Sequence, residues 1–193
     1  MLDTVAPTAK NAHLWARHPE DWYVEPEWCS RRLFEVEPFS NGIFDPACGS
    51  GRIVEAATAA NYFAFGHDIV RRSAHCAGEH NFLISPVVRM HNVVSTPPFG
   101  IADAFAAHAL RVAESKVALL LPTKWMNAAK RGAWIETTPL ARVWLLAPRP
   151  SMPPGPVIEA GIKPGNGTTD FAWFVWDKSH VGRPELRWLR RDG

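Results

Sequence analysis

A glycine-rich turn, DPACGSG at residues 45–51, is the first stretch whose residues could do chemistry. Gly49 and Gly51 permit a turn in which the backbone approaches a ligand closely. A helix is predicted from Arg52 onward, and the free N–H groups at its start favour an electron-rich partner. The spacing matches neither GxGxxG nor GxxxxGKS/T, which disfavours an NAD-linked oxidoreductase and a P-loop nucleotide site. A tight turn without a ligand explains the glycines equally well.

Two further apolar runs end in residues that could do chemistry. One ends at Asp68 and the other in STPPF, residues 95–99. The Asp68 carboxylate could accept hydrogen bonds from both hydroxyls of a ribose, although a lone aspartate here is more often a helix cap. Two prolines fix the backbone of STPPF, so the carbonyl of Thr96 or Pro97 could be held toward an amino group on a planar ring. Phe99 could stack on that ring. The alternative is a helix-entry turn with Phe99 in the core.

Strands alternating with helices must position these residues. Apolar runs predict strands at residues 42–45, 62–68, 116–122, 141–147 and 171–177, and one strand or two short ones at residues 87–95. Helical spacing predicts helices at residues 52–61, 69–80, 101–115 and 124–135. This alternation predicts an α/β fold, a doubly wound and mainly parallel sheet with helices on both faces. Ligands bind such sheets at the carboxyl ends of the strands.

The remaining segments are predicted to be irregular. Residues 1–40 are rich in Trp, Pro and Glu, and residues 148–170 form a long Pro/Gly-rich stretch that is typical of a functional or mobile loop. No shift in composition marks a second domain, so residues 1–193 are interpreted as one domain. Nine tryptophans predict a large aromatic core or exposed stacking platforms.

Composition sets limits on partners and compartment. The 193 residues are 47% hydrophobic and 21% charged with a formal net charge of +2, so the protein should fold without a strong basic field. A nucleic-acid partner would need a local patch of basic residues. The arginine-rich C-terminal residues are interpreted as a solvated tail in preference to a set of phosphate contacts. Three cysteines without a pairing pattern predict a reducing compartment. No run approaches the ~20 apolar residues of a membrane span, so a cytoplasmic protein is predicted.

A metal site is not predicted. Cys76 and His80, with His67 and His75 nearby, could be imagined as ligands. The second half of a zinc signature is missing from the sequence, which disfavours that interpretation.

The motifs occur in the order found in a known family. DPACGSG, GHD at residues 66–68 and STPPF resemble motifs I, II and IV of the S-adenosylmethionine-dependent amino-methyltransferases of DNA, and WYVEPEW at residues 22–28 resembles motif X. The downstream runs AFAAHALRVAESKVALLLPTKWM, PRPSM and TTDFAWFVWD are similar to small phage-type adenine methyltransferases. The resemblance extends over about residues 20–178. It implies a Rossmann-like methyltransferase fold of seven strands, with one antiparallel C-terminal strand.

The resemblance implies a role for each matching residue. Those implied to bind the cofactor S-adenosylmethionine at its methionine part are Asp45, Ala47, Gly49 and Gly51, with Tyr23 and Pro26 closing over it. Asp68 would hold the ribose, and Asn81, where the family often has an aspartate, would face the adenine amino group of the cofactor. Those implied to hold the target base, most directly adenine N6 in DNA, are Thr96, Pro97, Pro98 and Phe99.

Thr96 departs from the family pattern, which has Asn or Asp and sometimes Ser at this position. A threonine hydroxyl reaches less far than an amide oxygen, and losing one well-placed acceptor typically costs about 2.7–4 kcal/mol in such sites. The departure predicts slow catalysis, a different amino target or no catalysis. Two alternatives therefore stay open: a binding protein of the same fold without turnover, and a methyltransferase of RNA or of a protein glutamine side chain.

No separate target-recognition domain is visible in the sequence. The loop at residues 148–170 is the one large insertion, and Arg142, Arg149 and Lys163 lie in or near it. We expect this loop to contact nucleic acid and to give short or weak sequence specificity. A separate partner subunit that supplies specificity is the competing explanation.

Overall fold

One sheet with helices on both faces carries the predicted site. The computed structural model describes residues 19–86 and 88–192, and all its helices and strands lie within these ranges. In chain order the strands are β1 Ile43–Asp45, β2 Ala64–Asp68, β3 Cys76–Glu79, β4 Met90–Ser95, β5 Ala113–Pro122, β6 Leu140–Ala147, β7 Phe171–Asp177 and β8 Glu185–Arg190. The helices are α1 Glu27–Val36, α2 Arg52–Ala59, α3 Ala102–Val112, α4 Ala129–Glu136 and α5 Gly155–Glu159, with 3₁₀ turns at Phe99–Ile101 and Thr123–Asn127.

The strands lie in the order β3-β2-β1-β4-β5-β7-β6-β8. Strands β1 to β5 are parallel to one another, whereas β7 is antiparallel to both of its neighbours. The predicted doubly wound, mainly parallel sheet with an antiparallel strand near the C-terminus is therefore confirmed. The chain leaves β1 toward β2 and returns to its other side with β4, and ligands bind such sheets at this point of reversal.

The C-terminal residues form an eighth strand, where the sequence predicted a solvated tail. Strand β8 pairs in parallel with β6 at the edge of the sheet. Leu189 lies in the core, whereas Leu186 and Trp188 on the same strand are 56% and 60% exposed. Because a single residue of β8 points inward, the alternation typical of a half-buried strand is too weak to recognise.

Two apolar clusters fill the space between the sheet and its helices. Helix α3 buries Phe105 and Ala109 against one face, while α1 and α2 bury Leu33 and Ile53 against the other. Strands β5 and β7 lie between the clusters, with their apolar residues buried as predicted for central strands. The aromatic core is confirmed by four buried tryptophans: Trp125, Trp144, Trp173 and Trp176.

The helix predicted at residues 69–80 is wrong. Residues 69–75 are irregular, and Cys76–Glu79 form β3, which pairs in parallel with β2. The Cys76 side chain is fully buried. Pairing along the edge of β2 and burial of this thiol outweigh the helical propensity of the local sequence.

The predicted irregular segment at residues 1–40 contains a helix, α1, while residues 1–18 lie outside the described residues. Just beyond α1, the Glu37 side chain is 1% exposed and accepts hydrogen bonds from Arg142 and Lys116 at 2.6 and 2.7 Å. Burial alone would raise the Glu37 pKa, but these two cations outweigh it and hold the pKa below its usual range. Arg142, which lies near the loop predicted to contact nucleic acid, therefore anchors the end of α1 to the sheet.

The segment at residues 148–170 contains the short helix α5, and an Arg149–Asp170 ion pair of 2.6 Å joins its two ends. In the described ranges, no helix has the length and hydropathy needed to cross a membrane.

Candidate functional site

A cavity of about 270 Å³ lies at the carboxyl ends of β1, β2 and β4, where the strand order reverses. Eight of the predicted site residues line it: Tyr23, Asp45, Ala47, Gly49, Asp68, Asn81, Thr96 and Pro98. The other four do not line the cavity, although each is close in sequence to a residue that does: Pro26, Gly51, Pro97 and Phe99. The fold thus brings residues from five separate parts of the sequence into one cavity.

The glycine turn forms the floor of this cavity. Gly49 and Gly51 have φ values of 47° and 88°, in the left-handed region that glycine adopts without strain. Gly51 is the N-cap of α2, and a Cβ at this position would lie 2.6 Å from Cδ2 of His75. Gly51 therefore packs against His75 on the side of the turn away from the cavity, which explains why it does not line the cavity.

Asp68 holds the glycine turn in place from the end of β2. Its Oδ2 accepts a hydrogen bond of 2.8 Å from the Gly49 N–H, and its Oδ1 accepts one of 3.0 Å from Arg72. Arg72 also pairs with Glu20 and lies over the Trp22 ring, 4.7 Å from its centroid. Arg72 was missed in the sequence because residues 69–80 were interpreted as a helix.

Asp45 is a buried carboxyl group at the end of β1. Its Oδ1 accepts hydrogen bonds from the Ser95 hydroxyl at 2.7 Å and from the Ala47 N–H at 3.1 Å. Burial, together with the nearby carboxylates of Glu25 and Asp68, raises the Asp45 pKa to about 8. At neutral pH the protonated form of Asp45 therefore predominates.

The wall opposite the glycine turn is formed by residues 81–83. Phe82 and Leu83 present apolar side chains, and Asn81 lies beside them. Oδ1 of Asn81 accepts a hydrogen bond of 3.1 Å from the Leu83 N–H, so this oxygen already has one partner in the turn.

The proline corner follows β4, as predicted. Oγ1 of Thr96 is buried and has no hydrogen-bond partner among the described residues. Pro97 is buried, and the Pro98 carbonyl accepts a hydrogen bond from the Ile101 N–H at 3.2 Å. The carboxylate of Asp21 accepts the Gly100 N–H at 2.9 Å, which ties the corner to the N-terminal segment.

Residues 22–24 and 153–155, here called the roof, pair with each other beside the cavity, and Trp22 and Tyr23 of this pair line it. The Val24 N–H donates to the Pro153 carbonyl at 2.9 Å, and the Gly155 N–H donates to the Trp22 carbonyl at 3.1 Å. Pro26 lies at the end of this segment, where its carbonyl accepts the Cys29 N–H at 2.9 Å at the start of α1. Tyr23 thus lies over the cavity, while Pro26 begins a helix.

A second cavity of about 440 Å³ lies on the other side of Tyr23. Phe99 lines it together with Lys124 and residues 150–152 and 166–169 of the loop. The loop therefore borders two spaces: residues 153–155 belong to the roof, and residues 150–152 and 166–169 line the second cavity.

Glu25 is a cavity residue that the sequence reasoning missed. Its side chain lines the first cavity and is 6% exposed. Burial raises its pKa, and its own backbone N–H, the Arg52 charge and the hydroxyls of Ser30 and Thr96 oppose this rise. The available signal was an acidic residue inside the segment predicted to cover the cofactor. Among the described residues, no group of three or more His, Cys, Asp or Glu side chains could hold a metal ion.

Comparison with known proteins identifies the fold. No protein-family model and no curated protein sequence matches the chain. Solved structures match, among them a candidate class I S-adenosylmethionine-dependent methyltransferase from Listeria monocytogenes, with a TM-score of 0.58 and 12% identity over 92% of this chain and 67% of that one. The fold is that of the class I S-adenosylmethionine-dependent methyltransferases.

Two further methyltransferase-fold structures align with the chain. A candidate RNA methyltransferase from Pyrococcus horikoshii has a TM-score of 0.53 and 10% identity, covering 80% of this chain and 82% of that one. The M protein of the type I restriction enzyme EcoKI has a TM-score of 0.55 and 14% identity, covering 89% of this chain and 49% of that one. The chain thus spans about half of the EcoKI M protein.

The donor set of the first cavity fits S-adenosylmethionine, the cofactor that this methyltransferase fold implies. Asp45 offers a carboxyl group to a cationic amino-acid end. Asp68, at the end of β2, offers an acceptor for ribose hydroxyls, and Phe82 and Leu83 offer an apolar wall to a planar adenine. Each chemical part of the cofactor has a complementary group in this chain.

Proposed function

We propose that the chain is an S-adenosylmethionine-dependent methyltransferase that acts on an exocyclic amino group, with adenine N6 in DNA as the first choice. One observation carries the proposal: Asp45, Asp68 and the Thr96–Pro98 corner line the same cavity at the reversal point of a methyltransferase-fold sheet. Catalysis by this arrangement requires positioning more than side-chain chemistry.

When bound, S-adenosylmethionine would supply a methyl group activated by a sulfonium: the sulfur keeps the electron pair of the broken bond, and the amino nitrogen that bonds the methyl releases one proton to solvent. The chain has three tasks beside this chemistry. Asp45 and Asp68 bind and orient the cofactor, the roof at Tyr23 excludes water, and the proline corner holds the amino group. A base in a duplex must first leave the stack to reach this corner.

The second cavity supports a planar base as the substrate. Phe99 offers an aromatic surface there, and the neighbouring Lys124 offers a positive charge to a phosphate. The fold itself occurs in an RNA methyltransferase candidate and in the M protein of a DNA restriction enzyme, so it favours neither nucleic acid. DNA is preferred because the run STPPF and its neighbours resemble the DNA amino-methyltransferases.

Nucleic acid is the proposed partner, bound along the second half of the loop. Lys163 lies there with its side chain exposed, and Arg149 lies at the start of the loop, paired with Asp170. A separate specificity subunit is the competing source of sequence recognition.

Two measurements test the proposed function. Titration calorimetry with S-adenosylmethionine should give a saturable binding isotherm for the wild-type chain. Incubation with methyl-labelled cofactor and separate samples of DNA, RNA and protein, followed by nucleoside and amino-acid analysis, should then place the label on adenine N6 of DNA. Label on RNA or on glutamine would contradict DNA as the substrate and leave the methyltransferase activity standing. Absence of S-adenosylmethionine binding would contradict the proposed function as a whole.

Binding without turnover is the second candidate function, and Thr96 favours it. The threonine hydroxyl has no described hydrogen-bond partner and reaches a shorter distance than an amide would. In that case cofactor binding persists, and no label transfers to any of the three substrates.

A further inference from the structure

The acceptor side chains around the proline corner can be compared one by one. An amino nitrogen is held in place by oxygen atoms that accept its N–H hydrogens. Four acceptors of the first cavity already have polar partners: Asp68 with Gly49 and Arg72, Asp45 with Ser95 and Ala47, Asn81 with Leu83, and Glu20 with Arg72. Asp21, a fifth, accepts the Gly100 N–H.

Glu25 differs from these acceptors. Its Oε1 accepts one long hydrogen bond of 3.3 Å from Ser30, and its Oε2 has no side-chain hydrogen bond among the described residues. The Thr96 hydroxyl lies beside the same carboxyl group, close enough to lower its pKa. Glu25 is thus the longest acceptor next to the corner, and it retains unused capacity.

A purely structural role does not account for Glu25. Burying a carboxyl group with one weak partner is costly, because it loses its hydration. The nearest cation, Arg52, is engaged in an ion pair with the exposed Glu27 at 3.1 Å. A buried polar group with few partners in a cavity is the arrangement expected where a ligand completes the hydrogen bonds.

We propose that Glu25 accepts a hydrogen bond from the amino group that is to be methylated, at the corner where the Thr96 hydroxyl is too short. Glu25 thereby fixes the direction of the nitrogen lone pair, and Thr96 contributes at most the second, shorter contact. The inference rests on the proposed function, since it needs an amino substrate at this corner. It assigns to the N-terminal segment a task in substrate binding besides covering the cofactor.

Variants of Glu25 separate this role from cofactor binding. Glu25→Leu removes the acceptor, whereas Glu25→Gln keeps one acceptor oxygen. We expect Glu25→Leu to lower methyl transfer by about tenfold or more and Glu25→Gln by less, because Glu25→Leu would leave a buried amino N–H without an acceptor. Affinity for S-adenosylmethionine, measured by calorimetry, should change by less than about threefold, since the cofactor's contacts remain. Adding Thr96→Asn to Glu25→Leu should restore part of the transfer rate.

A binding measurement keeps the inference testable without turnover. The probes are a single-stranded oligodeoxynucleotide that contains adenine and the same strand with purine, which lacks the N6 amino group, each titrated onto protein saturated with S-adenosylhomocysteine. Wild type should prefer adenine, and Glu25→Leu should lose that preference. Glu136→Gln, an exposed glutamate at the end of α4 that does not line the cavity, is the matched control and should keep it.

The outcomes of the two proposals are distinguishable. A loss of S-adenosylmethionine affinity in Glu25→Gln, or an unchanged adenine preference in Glu25→Leu, would overturn the role of Glu25. A wild-type chain that binds the cofactor and transfers no methyl group would overturn the proposed enzymatic function, while the adenine-against-purine comparison would still decide on Glu25. Melting temperatures of both variants establish that each is folded.

Discussion

The Tyr23 ring lies nearly parallel to the Phe99 ring, with centroids 5.7 Å apart and planes inclined by 12°. Tyr23 lines both cavities, whereas Phe99 lines the second one alone. The stacked pair therefore lies between the first cavity, which we propose holds the cofactor, and the second, which we propose holds a base. Replacing either ring should affect the two ligands differently.

Phe99→Ala should weaken the substrate step and spare the cofactor. Base–aromatic stacking is worth about 1–3 kcal/mol, so kcat/KM for methyl transfer should fall about 5- to 150-fold. Calorimetry should show unchanged S-adenosylmethionine affinity in Phe99→Ala and reduced affinity in Tyr23→Ala. Equal losses of cofactor affinity in both variants would contradict the assignment of the two cavities.

Asp45 should make cofactor binding depend on pH. Its pKa of about 8 means that a cationic ligand, which favours the ionised form, must displace a proton at neutral pH. Affinity for S-adenosylmethionine should therefore rise by up to about tenfold per pH unit between about pH 6 and pH 8 and then level off. Calorimetry in buffers of different ionisation enthalpy would detect the released proton, and Asp45→Asn should abolish the slope.

Asp68 is expected to determine cofactor affinity in two ways, through the ribose and through the Gly49 turn that it holds. Asp68→Ala should abolish measurable binding of S-adenosylmethionine, because it removes both contacts. Asp68→Asn keeps one acceptor and should bind about 10- to 150-fold more weakly than wild type. Glu79→Gln, an exposed carboxylate on the neighbouring strand, is the control and should bind like wild type. Retained affinity in Asp68→Ala would show that the ribose lies elsewhere.

Gly155 tests the roof. A Cβ at this position would lie 2.1 Å from Cε2 of the Trp22 ring, so Gly155→Ala must push the ring or the loop away. Such overpacking typically costs about 1–3 kcal/mol, and part of it should appear as weaker S-adenosylmethionine binding. Gly132→Ala in α4, whose nearest neighbouring atom would be 4.0 Å away, should bind the cofactor normally. Wild-type affinity in Gly155→Ala would mean that the roof does not contribute to the cofactor site.

Lys124 and Lys163 test the nucleic-acid surface. Both side chains are exposed, and Lys124 borders the second cavity. Replacing both by glutamate should weaken DNA binding and reduce its salt dependence, since each lysine that contacts a phosphate contributes a slope of about 0.9. Lys178→Glu is the control. This exposed lysine follows β7, which is antiparallel to β5, and so lies at the end of the strands away from the cavities. An equal loss of DNA affinity in Lys178→Glu would mean that net charge, and not contact at this surface, explains the effect.

The sequence was informative where chemistry and burial leave a local pattern. Glycine spacing placed the turn before α2, and continuous apolar runs placed β5 and β7 in the middle of the sheet. The carboxylates Asp45 and Asp68 could be assigned to one edge because parallel strands end together.

The sequence was uninformative where distant parts of the chain decide the structure. Strand β3 depends on pairing with β2, which overrides local helical propensity. The partners of Glu37 come from β5 and β6, more than seventy positions away, so its ion pairs leave no local signal. Glu25 was overlooked for a related reason. It lies about seventy positions from Thr96 in the sequence, and only folding brings the two side chains together.

The roof has a consequence for synthesis on the ribosome. Translation of the first 122 residues completes the strands that carry Asp45, Asp68 and Thr96, yet the hydrogen-bond partner of Val24 is Pro153, which emerges later. A nascent chain at that stage has the glycine turn and its carboxylates and lacks the cover over them. The cover over this cavity therefore forms late in translation, when residues 153–155 reach the segment made near the start.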